Sequence, residues 1–149
     1  MPHAEEHINK RLAKLGLTGV RIPGSQTIRV NGKTSIIKFH VRTNAFEWLL
    51  SAIDENPAAE FYCFICFSTN PAGQPQDWLV PGQVVGQVVT RSHQAWLARQ
   101  PEQLPAPPPL RKFRLDYSST RYPELSTEYG AGWADEFNAP PAWERLVTA

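Results

Sequence analysis

Thr27-Ile-Arg-Val-Asn-Gly-Lys-Thr-Ser-Ile-Ile-Lys-Phe-His-Val-Arg-Thr43 is the stretch that decides the fold. Two runs rich in β-branched residues flank Asn31-Gly32, a dipeptide that readily adopts the positive φ angles of a tight hairpin turn. The pattern predicts strands over 27–30 and 35–43. Successive side chains of a strand point to opposite faces. Ile37, Phe39 and Val41 therefore share one face, and Lys38, His40 and Arg42 share the other. One side suits a core; the other presents polar, basic groups.

Upstream, Ile8, Leu12 and Leu15 recur at helical spacing within Ala4 to Leu15, with Gly16 placed to stop the helix. The outer face of that helix is strongly basic. Gly19 to Ile22 reads as a short strand closed by Pro23-Gly24. Downstream, Ala45 to Ile53 reads as a short helix or a turn, ended by Asn56-Pro57. Phe61 to Phe67 is apolar without alternation, the mark of a strand covered on both faces, and so a central one. A loop over 70–76 leads to an edge-like strand, Trp78 to Pro81. Gln83 to Arg99 is helical, with Val84, Val85, Val88 and Val89 on one side, followed by Trp96 and Leu97.

Five prolines between 101 and 109 make 101–110 an extended connector. Beyond it stand Phe113, Tyr117, Tyr122, Tyr129, Trp133, Phe137 and Trp143. These rings are expected to wrap back over the core, because exposed together they would form an aggregating patch. The expected architecture is α/β (α+β): a mixed four- to five-stranded sheet flanked by an N-terminal helix and a later helix. A length of 149 residues and 42% hydrophobic content suit one domain over 1–149, with its core at 4–99 and an aromatic segment at 111–149.

No apolar run approaches the ~20 residues of a membrane helix. The polar, charged start from Met1 to Lys14 does not resemble a secretory leader, so the expected compartment is the cytoplasm. Cys63 and Cys66 lie three apart on the apolar strand, hence on opposite faces, where they cannot converge on one ion. They are expected to be reduced core thiols. Ser92-His93 are neighbours on a helix, about 100° apart, and cannot form a nucleophile–base pair. Gly82 to Gly86 lacks the lysine and spacing of a phosphate loop.

Charge is uneven although the net value is only +1. From His7 through Phe46 there is no Asp or Glu, while Lys10, Arg11, Lys14, Arg21, Arg29, Lys33, Lys38 and Arg42 fall there. From Leu115 onward acids dominate. Either the basic half binds a polyanion, or it packs against the acidic half.

The order helix, strand, hairpin, long apolar strand, short strand after a polar loop, helix resembles the minimal core of PD-(D/E)XK nuclease-like proteins. More narrowly, the chain is similar to a group of small uncharacterised bacterial proteins with this restriction-endonuclease-like fold. The residues carrying the likeness are Ile36 to Thr43, Glu60 to Phe67, Trp78 to Pro81, Ser92 to Ala98, Arg111 to Arg114 and Trp143 to Leu146. In the family, one Asp on the hairpin and an acid-x-Lys pair hold a divalent metal that activates water. Here the acid-x-Lys position reads His40-Val41-Arg42, and the upstream Asp position falls near Thr27, with Gln26 and Asn31 as the nearest neutral alternatives. Only Glu5 or Glu6 of the first helix remains to offer such a pocket a carboxylate.

Arginine stays protonated and cannot replace the lysine as a proton carrier. The resemblance therefore implies a catalytically degenerate module with no metal and no cofactor, binding nucleic acid in a defence or mobile-element system. Its phosphate donors would be Arg29, Lys38, His40 and Arg42. Two other readings are an interaction subunit docking a protein partner, or a second copy, through its aromatic C-terminal half, and an enzyme with an unorthodox site built on His40.

Overall fold

The computed structural model describes residues 2–30, 35–43, 47–67, 75–98, 110–114 and 141–148. Helix α1 spans Pro2–Lys14. It ends where Gly16 takes φ of +74° and lets the chain reverse. The Leu17 amide then bonds the Leu12 carbonyl at 2.9 Å and the Gly16 amide bonds Ala13 at 3.0 Å, a closing pattern that only a left-handed residue permits without strain.

Strands β1 (Gly19–Arg21), β2 (Thr27–Val30) and β3 (Ile36–Thr43) follow as an antiparallel meander, with Thr27 opposite Lys38 and Ile28 opposite Ile37. The two faces of β3 are the expected ones, while Arg29 opposite Ile36 leaves four residues, 31–34, between the paired strands instead of a two-residue Asn-Gly turn; 31–34 lie outside the described residues. Strand β5 (Phe61–Phe67) pairs parallel to β3, and β6 (Gln76–Pro81) pairs antiparallel to β5. The five-stranded order is β1-β2-β3-β5-β6, so the apolar β5 is interior and β6 an edge, as expected. Helix α2 covers Gly82–Ala98.

Residues Glu47–Ser51 form a strand, β4, rather than a helix or turn. It pairs antiparallel with β7 (Leu110–Arg114) in a separate two-stranded sheet. Trp48 and Leu50 are buried between exposed Leu49 and Ser51, a period of two too short to read without its partner. A 3-10 turn, Ala52–Glu55, follows β4. The chain closes with a helix not expected from its sequence, α3 (Pro141–Thr148).

The main sheet separates two cores. On one face α1 and α3 bring Ala4, Ile8, Leu12, Trp143 and Leu146 onto Ile28, Ile37, Phe39, Cys63, Ile65 and Leu79. On the other, α2 and the small sheet bring Val85, Val88, Val89, Trp48, Leu50 and Phe113 onto Tyr62, Phe64, Cys66, Trp78 and Val80. Full burial of a side chain such as Ile8 or Leu12 is worth about 1.5–3 kcal/mol. Phe113 stacks parallel on Phe64 with centroids 4.3 Å apart. Helix α2 can lie this close because Gly82 and Gly86 carry no side chain. A Cβ on Gly82 would sit 2.1 Å from the Ala59 carbonyl oxygen, and one on Gly86 2.8 Å from that of Glu55.

Phe113 and Trp143 do fold into the core. The other aromatic residues of the C-terminal segment, and the prolines of the connector, lie outside the described residues.

Candidate functional site

The polar face of β3 is where the sequence points, and the structure keeps Lys38, His40 and Arg42 together on it, with Thr27 and Arg29 of β2 alongside by register. The face is not the open cationic surface that alternation alone suggests. It carries a buried carboxylate, Asp54 of the 3-10 turn, that accepts from the Lys38 ammonium at 2.6 Å, the Tyr62 hydroxyl and the Ser51 amide at 2.9 Å. Burial pushes the Asp54 carboxyl up, but those donors together outweigh it and hold it below the ordinary carboxylate value. Lys38 thus has an internal partner, contrary to what the acid-free stretch around it suggests.

His40 stacks on the rings of Tyr62 and Phe64, with centroids 5.8 and 6.0 Å away. Its Nε2 is buried without a hydrogen-bond partner among the described residues. Burial, only partly opposed by Asp54 and reinforced by Lys38, lowers its pKa to about 4. That direction favours the uncharged imidazole at neutral pH. Tyr62 moves the other way: burial and the adjacent Asp54 carboxylate push its phenol up. A general acid or base works best near the operating pH. None of these three groups is poised there, and the cluster anchors the turn to the sheet.

Two cations remain. Arg29 is exposed and Arg42 half-buried, and neither makes an ion pair among the described residues. Thr27 shares a hydrogen bond of 2.6 Å with the Ser25 hydroxyl in the turn before β2. Arg21, of opposite parity, lies over the Phe39 ring at 5.6 Å and donates to the Ser25 carbonyl. Neither Glu5 nor Glu6 can join the Lys38–His40 cluster, because α1 packs on the opposite face of the sheet. The carboxylate beside Lys38 comes instead from Asp54. Its signal was the Ser51-x-x-Asp54 spacing, which marks a helix-start cap.

A second buried carboxylate lies on the α1 face. Asp77 of β6 accepts from His7 Nε2 at 2.6 Å, Arg11 Nε at 2.9 Å and Trp143 Nε1 at 2.7 Å. Burial raises its pKa, and the bonds from His7 and Trp143 with the nearby Arg11 charge more than reverse that, leaving it below the ordinary value. Both oxygens of each buried aspartate are therefore already taken. Among the described residues no three His, Cys, Asp or Glu side chains stand together as a metal cluster.

Cys63 and Cys66 are buried free thiols, one in each core, as their spacing required. Burial, with the Asp77 charge adding to it, pushes the Cys63 thiol well up, which keeps it protonated and unreactive. Among the described residues no helix is long and apolar enough to cross a membrane.

No protein-family profile matches the chain, and no curated protein matches it. Among solved structures it is similar to a Holliday junction resolvase from Archaeoglobus fulgidus, at 15% identity and a TM-score of 0.40, over 80% of this chain and 84% of that one. So loose an overlap carries no residue-by-residue correspondence.

Proposed function

We propose that the chain is a nuclease-like module that binds nucleic acid and does not cut it by a metal-dependent route. The observation that carries this reading is the fate of the carboxylates. The hairpin has none, and Asp54 and Asp77, the buried acids nearest its two faces, have every oxygen engaged by protein donors. A divalent ion prefers several carboxylate oxygens, and here it would have to displace a lysine, an arginine or a histidine to reach one.

The β2–β3 face, carrying Arg29, Lys38, His40 and Arg42, is the proposed contact with phosphate. In this reading Arg29 and Arg42 supply the charge, Lys38 a partly exposed ammonium, and His40 only shape. A defence or mobile-element setting, and a bacterial source, belong to the same proposal and rest on the family resemblance.

Anisotropy titrations of a labelled oligonucleotide test the face. Arg29→Ala with Arg42→Ala should weaken binding of every sequence alike and reduce the salt slope by roughly one per lost contact. Unchanged affinity and slope would remove the face from the account. The reading of a protein-docking surface in the C-terminal half is weakened at Phe113 and Trp143, both buried in the chain's own core. Catalysis by His40 finds no support in an imidazole that burial makes weakly basic, with a pKa lowered to about 4, and whose Nε2 is buried.

A further inference from the structure

On the far side of the sheet from Arg29, a groove of about 690 Å³ runs beside α1, lined by His3, His7, Lys10, Arg11 and Lys14 with Phe67 at one wall. That volume falls among ligand clefts of roughly 300–1,000 Å³. The helix periodicity explains the lining: Ala4, Ile8 and Leu12 face the core, so His3, His7, Lys10, Arg11 and Lys14 share the other flanks.

One acid, Glu6, stands on the rim, exposed and 4.0 Å from Lys10. Asp77 lies beneath, but its side chain is 2% exposed and its oxygens bond His7, Arg11 and Trp143. It fixes the direction of His7 and Arg11 more than it offers itself to the groove. Lys14 makes no ion pair among the described residues.

We infer that this groove is a second nucleic-acid site, taking the phosphodiester backbone of a strand against Lys10, Arg11 and Lys14, with Phe67 and Pro75 giving an apolar wall for sugar or base. The inference rests on the nucleic-acid reading above only for the class of ligand; its residues and its face of the sheet are different. Arg11, pinned by Asp77, is the positioned donor of the set, and the two lysines supply mobile charge around it.

The test is a salt series on the full chain with a short labelled oligonucleotide, comparing Lys10→Glu/Lys14→Glu, Arg29→Glu/Arg42→Glu and the exposed α2 control Arg91→Glu. Both lysines are exposed, so the α1 pair should melt like the parent. It is expected to bind at least tenfold more weakly at low salt, with the slope reduced by about two for two lost phosphate contacts. Lys10→Arg/Lys14→Arg should restore parental binding. A loss no larger, per reversed charge, than that of Arg91→Glu would overturn the groove. Loss in the α1 pair with none in the β2–β3 pair would uphold the groove and remove the other face. The opposite pattern would do the reverse, and a parent chain that binds no oligonucleotide would overturn both.

Discussion

Asp54 and Asp77 lie under opposite faces of the same sheet and solve the same problem, a buried carboxylate met by three kinds of donor. They differ in reach. Asp54 collects partners 3, 8 and 16 residues away, so it fastens one turn to the strands beside it. Asp77 collects partners 66 and 70 residues away, so it fastens the first and last helices of the chain to an edge strand. The local cluster can form as soon as β3, β4 and β5 assemble. The long-range one forms only when both ends of the chain have docked. Burying a charge is costly unless it is paired and hydrogen-bonded, and the two sites show that requirement met once within a motif and once across the whole fold.

The largest effect should come from Asp77→Ala. It strands the buried Trp143 Nε1 and takes the acceptor from His7, whose side chain is 16% exposed, while Arg11, 36% exposed, can turn toward water. Two orphaned groups cost about 3–4 kcal/mol. Urea unfolding measures it; a loss under ~1 kcal/mol would mean that α3 does not depend on this anchor. Asp54→Ala should cost less, about 2–3 kcal/mol. The Lys38 side chain is 26% exposed and can turn toward water, leaving the Tyr62 hydroxyl as the main orphan. An effect as large as that of Asp77→Ala would erase the distinction between local and long-range anchors.

Acid separates the two faces by window. His40 has a folded-state pKa of about 4 against an ordinary 6.5. Between those values the unfolded chain binds the proton and the folded chain does not, so stability is full above 6.5 and falls as pH drops toward 4. The loss is on the order of 3 kcal/mol, and His40→Gln should flatten this part of the profile. Asp54 and Asp77, whose pKa values are lowered from 3.8, keep their contribution above that value and lose it only as pH falls further, through their folded values. A profile flat from pH 7 to 4 in the parent chain would contradict the burial of His40. The smallest effect belongs to the surface: Glu6→Gln breaks an exposed pair at 4.0 Å and should change stability by no more than ~0.5 kcal/mol.

These contrasts also mark what the sequence made legible. The Asn31-Gly32 signal marked the hairpin, the alternation of Ile37, Phe39 and Val41 specified its two faces, and the unbroken apolar run of Phe61–Phe67 specified the interior strand. Both signals are local. Strand β4 was not legible because its partner β7 begins only at Leu110, and Glu47–Ser51 is too short to show a period by itself. The carboxylate sites failed for the same reason. An Asp in a turn and an Asp at an edge look like solvated charges until the fold brings Lys38, or His7 with Trp143, to them. The shared face of Lys38, His40 and Arg42 was readable from parity, but not that Asp54 and two aromatic rings would change its charge.

The central claim, binding without metal-dependent cutting, is tested most directly by incubating the pure chain with labelled DNA and RNA in Mg²⁺ across a salt series, with and without chelator. The account predicts intact strands in every lane, binding that chelator leaves unchanged, and an affinity that falls linearly in log–log form as salt rises. Strand cleavage abolished by chelator, or no salt-sensitive binding to any probe, would contradict it.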